Sequence, residues 1–265
     1  MIIICNGSFK SGSTWLYLII EEMLILKKIS YNLSTVEEWK YKNNPNFLFS
    51  ESIAKVAIPY YSNMDAVYLS KIHLLNESTY EYLENKSLNF KIIFSKRILE
   101  DALVSHFHHI KTELNLKIPF FLYYWIIGRY KAIEINSFEE NKKKFLPEAL
   151  MISFEELKYN FEYNVKKIAQ YLDLEISNSE ILLIKERTNI GNLKERVSQG
   201  KIRHYSTNSK KASKHFRKGE VGDSVHWFTE CQKKDLNKII EGKRSKVTSF
   251  LYDLLFIKRR NIYKI

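Results

Sequence analysis

The sequence predicts an α/β fold, in which a mostly parallel sheet carries helices on both faces. Three observations lead to this prediction. Apolar runs of strand length alternate along the chain with longer segments of helical periodicity. The first strand leads through a glycine-containing turn directly into a helix. The 265 residues are 45% hydrophobic, which is enough for one sizeable core, so we expect a single domain over residues 1–265.

The predicted elements follow one another along the chain. Apolar runs predict strands at Ile2–Asn6, Ala66–His73, Phe90–Ser95 and Ala149–Phe154. Helical periodicity predicts helices at Ser13–Lys28, Ser78–Leu83, Leu99–Leu114, Phe120–Asn136, Glu155–Leu172, Ser179–Arg187, Val225–Glu241 and Val247–Arg259. Between Leu99 and Ile110 the apolar side chains recur at every third or fourth position, which predicts one buried helix face.

Two segments are predicted to lie outside these elements. The run EENKKKFLP, residues 139–147, is expected to be a polar loop. Residues 198–219 are basic, rich in Ser and Lys, and weakly periodic. They are predicted to form either a disordered surface loop or a lid that orders on an anionic ligand.

Composition narrows the functional class. The formal charge of +12 favours an anionic partner, such as a nucleotide, a nucleic acid, an acidic glycan or a membrane surface. The 2 cysteines give no disulfide framework or zinc spacing. No apolar run reaches the roughly 18–20 residues that cross a bilayer, and the glycine-containing turn so close to Met1 leaves no room for a signal peptide. We therefore expect a cytoplasmic protein without a transmembrane segment.

The turn after the first strand, NGSFKSGSTW at residues 6–15, has the glycine spacing of a phosphate-binding loop. Gly7 and Gly12 match the pattern G-x-x-x-x-G-K-[ST], yet Ser13 stands where the lysine belongs. The lysine lies inside the loop, as Lys10. Backbone amides at the helix start, together with this lysine and the nearby hydroxyl groups, would bind an anion. The sequence therefore predicts a P-loop-like domain.

Two other interpretations explain less of this loop. Helix capping by Ser13 or Thr14 would account for one hydroxyl, but not for the glycines and the lysine together. ATP turnover would need an acidic magnesium ligand after a strand, whereas KIIF is followed by Ser95, Lys96 and Arg97. A loop without a metal partner suits a transferred group with less charge than a terminal phosphate, such as a sulfuryl group.

Three blocks of the sequence resemble the cytosolic-type sulfotransferases, which use 3′-phosphoadenosine 5′-phosphosulfate (PAPS). FKSGSTW is similar to the phosphosulfate-binding loop of that family, although the family's proline is absent. SKRILEDALVSHF resembles the 3′-phosphate site, with Arg97 ending a strand and Ser105 following on a helix. FRKGEVGDSVHWFTE resembles the pattern Arg-Lys-Gly-x-x-Gly-Asp-Trp-x-x-x-Phe-Thr, with Ser224 in place of its tryptophan. The blocks lie in family order and span most of the chain.

The resemblance implies a nucleotide site. PAPS would be the co-substrate, 3′-phosphoadenosine 5′-phosphate (PAP) the product, and no metal would take part. The 5′ end of the donor would contact Lys10, Ser11, Gly12, Ser13 and Thr14. The 3′-phosphate would contact Arg97, Ser105, Arg217, Lys218 and Gly219. The adenine would lie near Trp15, Phe154, Thr188, Asn189 and Ile190, with Phe154 standing where the family has a tyrosine.

The resemblance also implies catalytic residues. YLSKIHLL is similar to the family's Lys-Thr-His-Leu-Pro segment, although Ile72 departs from it. It implies that His73 is the general base, a role that histidine suits near neutral pH, and that Lys71 acts beside it. Lys10 would neutralise charge on the leaving oxygen. Ser105 is also predicted to be a catalytic residue. The alternative for His73 is a structural histidine at a strand end.

Other polar and aromatic groups carry weaker predictions. The histidines of HFHHI predict no metal site, because a helix spreads them over different faces and no Cys or acidic cluster completes a ligand set. Aromatic side chains that could line an acceptor pocket, or equally pack in the core, are Tyr60, Tyr61, Phe107, Tyr123, Tyr124 and Trp125. The family's dimer segment is not found after Thr229, so no oligomeric state is predicted. Residues 247–265 are expected to form a docked terminal helix rather than a membrane anchor.

The leading interpretation is a sulfotransferase acting on a hydroxyl or amine of a small-molecule acceptor. A carbohydrate acceptor, served by a carboxylate base, is the nearest alternative. A nucleoside or small-molecule kinase would use the variant loop with ATP and magnesium. A nucleic-acid-binding protein gives no reason for the spacing of Arg97 and Ser105, so no nucleic-acid partner is expected. Ser224, Phe154 and Ile72 leave open a sulfotransferase-like protein without activity.

Overall fold

The computed structural model describes residues 1–31, 67–73, 77–115, 117–145, 149–199 and 218–243. These residues belong to two compact units. The first unit takes in Met1–Ile98 and Lys142–Val221, and the second takes in Leu99–Asn141 and Gly222–Ile265. Each unit is built around its own apolar cluster. The predicted helix at Val247–Arg259 and most of the segment 198–219 lie outside the described residues.

The first unit is built on a parallel sheet of strands β1 (Ile2–Gly7), β2 (Tyr68–His73), β3 (Phe90–Lys96) and β4 (Leu150–Ser153). The strand order is β2-β1-β3-β4, and all three pairings are parallel. Every residue of β1 is buried, as expected for a central strand covered on both faces. The predicted α/β class is therefore confirmed. From β1 the chain goes first to β2 on one side of it and then to β3 on its other side.

The helices of the first unit pack against this sheet and against one another. They are α1 (Ser13–Leu26), α2 (Glu77–Asn85), α6 (Phe154–Tyr159), α7 (Phe161–Tyr171), α8 (Asn178–Arg187) and α9 (Ile190–Ser198). The apolar cluster of this unit joins the sheet to α1 and to α6–α9 through side chains such as Ile3, Leu16, Ile93, Val165, Ile184 and Leu193. The central position of α1 in this cluster fixes the loop that precedes it.

One helix prediction in this unit needs correction, and one helix was not predicted. The predicted helix Glu155–Leu172 is interrupted at Asn160, whose backbone is not helical (φ −122°, ψ 51°). The side chain of Asn164 donates to the carbonyls of Glu156 and Asn160, at 3.0 and 2.9 Å, and so satisfies the broken end. Helix α9 was not predicted, and the side chain of Asn189 caps its first turn.

The second unit is helical in its described part. It contains α3 (Leu99–Glu113), α4 (Phe120–Tyr123), a π-helical turn (Tyr124–Gly128), the α5 helix (Arg129–Phe145) up to Asn141, and α10 (Glu230–Ile240). Its core includes Leu103, Phe107, Tyr123, Tyr124, Ile133, Phe228 and Leu236. The π turn contains Gly128, where a Cβ atom would come within 2.9 Å of the Tyr123 ring. Close approach of that ring therefore requires glycine.

Two further helix predictions are wrong in their boundaries, and one predicted loop is mostly helical. The predicted helix Phe120–Asn136 contains the π turn and continues to Phe145. The run at 139–147 is helical through Phe145 rather than a loop, which agrees with the high helix propensity of its Glu and Lys residues. The predicted helix Val225–Glu241 begins only at Glu230, after the cap residue Thr229. No helix within the described ranges is long and apolar enough to cross a membrane.

Candidate active site

The carboxyl ends of the parallel strands bring the predicted catalytic residues of the first unit to one edge of the sheet. Strand register places Gly7 of β1 between His73 of β2 and Ser95 of β3. Ligands of open α/β sheets bind at this edge, beside the strand where the connections change direction. The loop between β1 and α1 begins there, so the fold places the glycine-containing loop and His73 side by side.

Side-chain hydroxyls fix the start of this loop. The Ser11 Oγ donates to the Ser8 carbonyl at 2.8 Å and lies 2.7 Å from the Ser95 Oγ. Gly7 is required here, since a Cβ atom on it would lie 2.3 Å from the Ser95 Oγ. Ser95 was not predicted to have a role. Its position at the carboxyl end of a strand beside β1 is the signal that could have identified it.

Helix α1 begins without a side-chain cap. Its N-cap residue is Gly12, in the left-handed region at φ 90°, and no side-chain cap hydrogen bond is formed there. Capping by Ser13 or Thr14 is therefore not what the loop provides. Uncapped amides and the helix dipole make this terminus suitable for an anion. A Cβ atom on Gly12 would also lie 2.8 Å from the Phe154 ring.

Lys10 lies in the middle of the loop with a left-handed backbone (φ 63°). A residue with a Cβ atom adopts this conformation at a cost of about 1–2 kcal/mol. Strained residues of this kind are concentrated at functional sites. The conformation places the only lysine of the loop within the turn itself, which agrees with its predicted role in charge neutralisation.

Lys71 is a buried lysine of β2 whose pKa is strongly lowered. It is 9% exposed on β2, and its Nζ donates to the Thr14 Oγ1 at 2.7 Å. Burial, together with the positive charge of Lys10 and partly opposed by Cys5, lowers the pKa of Lys71 from 10.5 to about 7. A lysine poised near neutral pH can hold or release a proton beside the loop.

His73 ends β2 next to the loop. Its Nδ1 lies 3.3 Å from the Gly7 carbonyl, and its ring lies 5.1 Å from the Phe9 ring. A carbonyl oxygen only accepts, so this contact assigns the proton to Nδ1 and the basic lone pair to Nε2. The geometry therefore suits the predicted general base.

Aromatic side chains gather beside the start of α1. The rings of Trp15 and Phe154 lie 5.5 Å apart at 61°, and Phe161 lies 6.1 Å from Trp15. The Trp15 Nε1 donates to the Thr188 carbonyl at 2.9 Å. The Arg97 guanidinium lies over the Phe154 ring, 4.3 Å from its centroid. The predicted adenine residues Trp15 and Phe154 therefore lie together.

The segment Thr188–Ile190, predicted to lie near the adenine, contacts Trp15 through its backbone. The Thr188 hydroxyl donates to the Ile184 carbonyl at 2.7 Å. The Asn189 side chain accepts from the Asn192 amide at 2.9 Å and so caps α9. The Ile190 side chain lies where a Cβ atom on Gly219 would come within 2.9 Å of it. These two side-chain hydrogen bonds therefore hold the segment itself. Its hydrogen bond with Trp15 is made by the Thr188 carbonyl.

The predicted 3′-phosphate residues are only partly brought together. Arg97 Nη2 donates to the Glu220 carbonyl at 2.8 Å, close along the chain to Gly219. Lys218 is exposed and 3.8 Å from the Glu220 carboxylate. Arg217 lies outside the described residues, and Ser105 lies on α3 of the second unit, so the pairing of Arg97 with Ser105 stays a prediction.

The second unit contains the part of the block FRKGEVGDSVHWFTE that begins at Gly222. The buried carboxylate of Asp101, in the first turn of α3, accepts from the Gly222 amide at 2.7 Å and from the Ser224 amide at 2.9 Å. Ser224, which stands where the family has a tryptophan, is held here through its backbone amide. Asp101 fixes this loop by accepting from both amides.

Three of the aromatic residues considered for an acceptor pocket are core residues of the second unit: Phe107, Tyr123 and Tyr124. Tyr123 donates to the Leu103 carbonyl and contacts the His106 ring nitrogen. Trp125 is partly buried against the same core, and Tyr60 and Tyr61 lie outside the described residues. Within the described ranges, no group of three or more His, Cys, Asp or Glu residues lies close enough together to hold a metal.

Comparison with known proteins identifies the family of this chain. The family model described as the sulfotransferase domain matches residues 2–249. The amine sulfotransferase of Oryctolagus cuniculus is 26% identical over 92% of this chain and 81% of its own length. Cytosolic sulfotransferase 15 of Arabidopsis thaliana is 25% identical over 88% of this chain and 69% of its own.

A solved structure shares the fold. The crystal structure of a mouse sulfotransferase complexed with PAP has a TM-score of 0.62 and 20% identity, covering 95% of this chain and 87% of that one. The family predicted from the loop and the two nucleotide-binding blocks is confirmed, and the kinase and nucleic-acid interpretations are set aside. Because the family model covers nearly the whole chain, this protein belongs to the sulfotransferase family.

Proposed function

We propose that this sulfotransferase moves the sulfuryl group of PAPS to a hydroxyl or amine of a small-molecule acceptor. The observation that carries the proposal is the edge of the first unit's sheet, where Lys10, Lys71 and His73 flank the uncapped start of α1. Two similar proteins support the proposed donor and the proposed acceptor. The mouse structure is complexed with PAP, and the Oryctolagus cuniculus relative is named an amine sulfotransferase.

The donor would be held by backbone and side chains of the loop. The amides of residues 12–14 and the Ser13 hydroxyl would bind the 5′-phosphosulfate. The Ser11 amide donates to the Ser8 carbonyl at 3.3 Å and so holds the loop itself. Residues proposed for the 3′-phosphate are Arg97, Ser105, Arg217, Lys218 and the Gly219 amide. Arginine suits that group because its planar fork can bind two phosphate oxygens at once. Trp15 and Phe154 offer aromatic surface to the adenine.

In the proposed reaction the acceptor attacks sulfur in line with the leaving oxygen. His73 Nε2 accepts the acceptor's proton while its Nδ1–H is held by the Gly7 carbonyl. The bond between sulfur and the bridging oxygen breaks, and PAP leaves with the electron pair. Lys10 and protonated Lys71 stabilise the charge that develops on the bridging oxygen. The sulfuryl group carries less charge than a terminal phosphate, so this scheme calls for no metal.

Cellular location and domain organisation are part of the proposal. We place the protein in the cytoplasm, as the name of the Arabidopsis thaliana relative indicates for that protein. We also retain the prediction of one sulfotransferase domain over residues 1–265, since the family match runs from residue 2 to 249.

The test begins with calorimetric titration of the wild type with PAP and, separately, with ATP and magnesium. The proposal expects metal-independent binding of PAP and preference for it over ATP. Equal affinity for the two ligands, or binding of ATP only with magnesium, would contradict the proposed donor.

A matched pair of variants then tests the role of Lys10. Lys10→Gly removes the charge and also relieves the left-handed backbone, so the free energy of unfolding should not fall and should rise by at most about 1 kcal/mol. Sulfuryl transfer from PAPS to an amine or phenol acceptor should fall by about 100-fold or more. Lys28→Gly is the control, because exposed Lys28 is also left-handed (φ 53°). Wild-type turnover in Lys10→Gly would overturn this role.

A further inference from the structure

Glu22 of α1 forms a buried ionic network with two arginines of the first unit. Its side chain is 3% exposed. Arg187 Nη1 lies 3.1 Å from the Oε2, and Arg196 Nη2 lies 2.7 Å from the Oε1. A carboxylate at this depth is stable only when it is paired. Each of its oxygens receives one guanidinium.

The two arginines come from helices that meet at a short junction. Arg187 is the last residue of α8, and Arg196 lies on α9, which begins at Ile190. Arg196 Nη1 also donates to the Arg187 carbonyl at 3.1 Å. Glu22 therefore holds both helices at the junction formed by residues 188 and 189.

The same junction holds Trp15. The indole Nε1–H donates to the Thr188 carbonyl at 2.9 Å, and Thr188 itself is held by its hydroxyl bond to Ile184. Trp15 and Glu22 are seven residues apart on α1, which is about two turns, so they lie on the same face of the helix. Helix α1 thus contacts the junction once through the carboxylate and once through the indole.

We propose that Glu22, Arg187 and Arg196 position the Trp15 indole for the adenine of the sulfuryl donor. None of the three has to contact the donor, because they act through the Thr188 carbonyl that sets the orientation of the indole. Stacking on an aromatic ring depends on the orientation of its plane. The inference rests on the proposed function, and it adds positioning residues that the sequence did not suggest.

A second ion pair between α1 and α8 gives the control. Lys27 donates to both Glu180 oxygens, at 2.7 and 2.9 Å. That pair joins the same two helices, at the end of α1 and the start of α8. Glu180 lies in the first turn of α8, at the opposite end of that helix from Thr188, so removal of this pair loosens the helix pair without changing the junction.

The experiment uses Glu22→Gln, Arg196→Leu and the control Lys27→Met in the full chain. Calorimetry measures the affinity of each for PAP and for ribose 3′,5′-bisphosphate, which has both phosphates and no base. We expect the first two variants to lose about fivefold or more of their affinity for PAP, with the affinity for the base-free ligand unchanged. Lys27→Met should bind both ligands as the wild type does.

The outcomes separate this inference from the proposed function. An equal loss for both ligands, or unchanged PAP affinity in both variants, would overturn the positioning role. Wild type that does not bind PAP would overturn the proposed function, and the inference with it. If Glu22→Gln fails to fold, Arg196→Leu decides, because its side chain is partly exposed and Glu22 keeps its pair with Arg187.

Discussion

Two lysines of the first unit lie in environments that lysine usually avoids. Lys10 has a left-handed backbone, and Lys71 is buried beside it with a pKa lowered to about 7 by burial and then by the Lys10 charge. Both features cost free energy in the protein without a ligand. An anion of high charge would favour protonation of Lys71 and offset the repulsion between the two lysines. Binding of the anionic donor would therefore offset part of this free-energy cost.

The lowered pKa of Lys71 makes stability depend on pH. An unfolded lysine keeps its proton up to about pH 10.5, whereas folded Lys71 loses it above about 7. Between these values the unfolded state binds more protons, so the free energy of unfolding of the wild type should rise with pH relative to Lys71→Met. Urea unfolding at several pH values between about 6 and 10 measures this.

The baseline for that comparison comes from Lys86→Met, a change at an exposed lysine. Its pH profile should run parallel to that of the wild type. Parallel profiles for Lys71→Met and the wild type would show that Lys71 holds its proton in the folded protein, and the proposed poise near neutral pH would be wrong.

The helices of this protein differ in whether a side chain caps their first turn. Capping boxes begin α6, α8 and α10, formed by Ser153 with Glu156, Ser177 with Glu180, and Thr229 with Gln232. In contrast, α1 begins at a left-handed glycine without a side-chain cap. A capped terminus has satisfied its own amides, whereas an uncapped one leaves them for a ligand. Helices α4 and α7 also begin without a side-chain cap hydrogen bond, at Pro119 and Asn160. Of these three starts, the start of α1 is the one with a left-handed glycine as its N-cap, in the loop that contains Lys10.

The first turn of α3 supports the loop of the second unit through Asp101. Asp101→Asn replaces one accepting oxygen by a donor that faces an amide N–H, so we expect the free energy of unfolding to fall by about 1–3 kcal/mol. Hydrogen exchange at the Gly222 and Ser224 amides should become faster. Glu100→Gln, which removes a charge from the same helix turn, should leave both amides protected. Unchanged exchange in Asp101→Asn would contradict this role.

At the scale of the whole molecule, the excess of basic residues is the main long-range feature. The chain has 42 basic and 30 acidic residues, which produces a positive potential that attracts polyanions. PAP carries phosphates at both the 3′ and the 5′ position, so it should respond to this potential more strongly than a nucleotide with one phosphate.

The affinity for PAP should therefore fall by about fivefold or more when NaCl rises from about 0.05 M to about 0.3 M. Adenosine 5′-phosphate, which lacks the 3′-phosphate, should lose less affinity over the same range. Calorimetric titration of both ligands at the two salt concentrations measures the difference. Equal salt dependence of the two ligands would show that charge at the 3′ position contributes little to binding.

Several helix boundaries could not be predicted because local and long-range forces compete there. The capping pattern at Thr229 was present in the sequence, yet the apolar residues from Val225 onward suggested an earlier start. The polar composition of the run at 139–147 favours a loop, yet its Glu and Lys residues have high helix propensity and the helix continues through Phe145. Asn160 interrupts a periodic segment because Asn164 can satisfy the carbonyls at the break.

The sequence alone determined the α/β class, the glycine-containing loop and the family, because strand runs, glycine spacing and motif order are local properties of the chain. The contacts that give the site its chemistry came only from the fold. Lys71 meets Thr14, and Ser11 meets Ser95, across the register of parallel strands. Glu22 meets its arginines across more than 160 residues. Such contacts depend on how distant segments pack, which no local pattern of residues specifies.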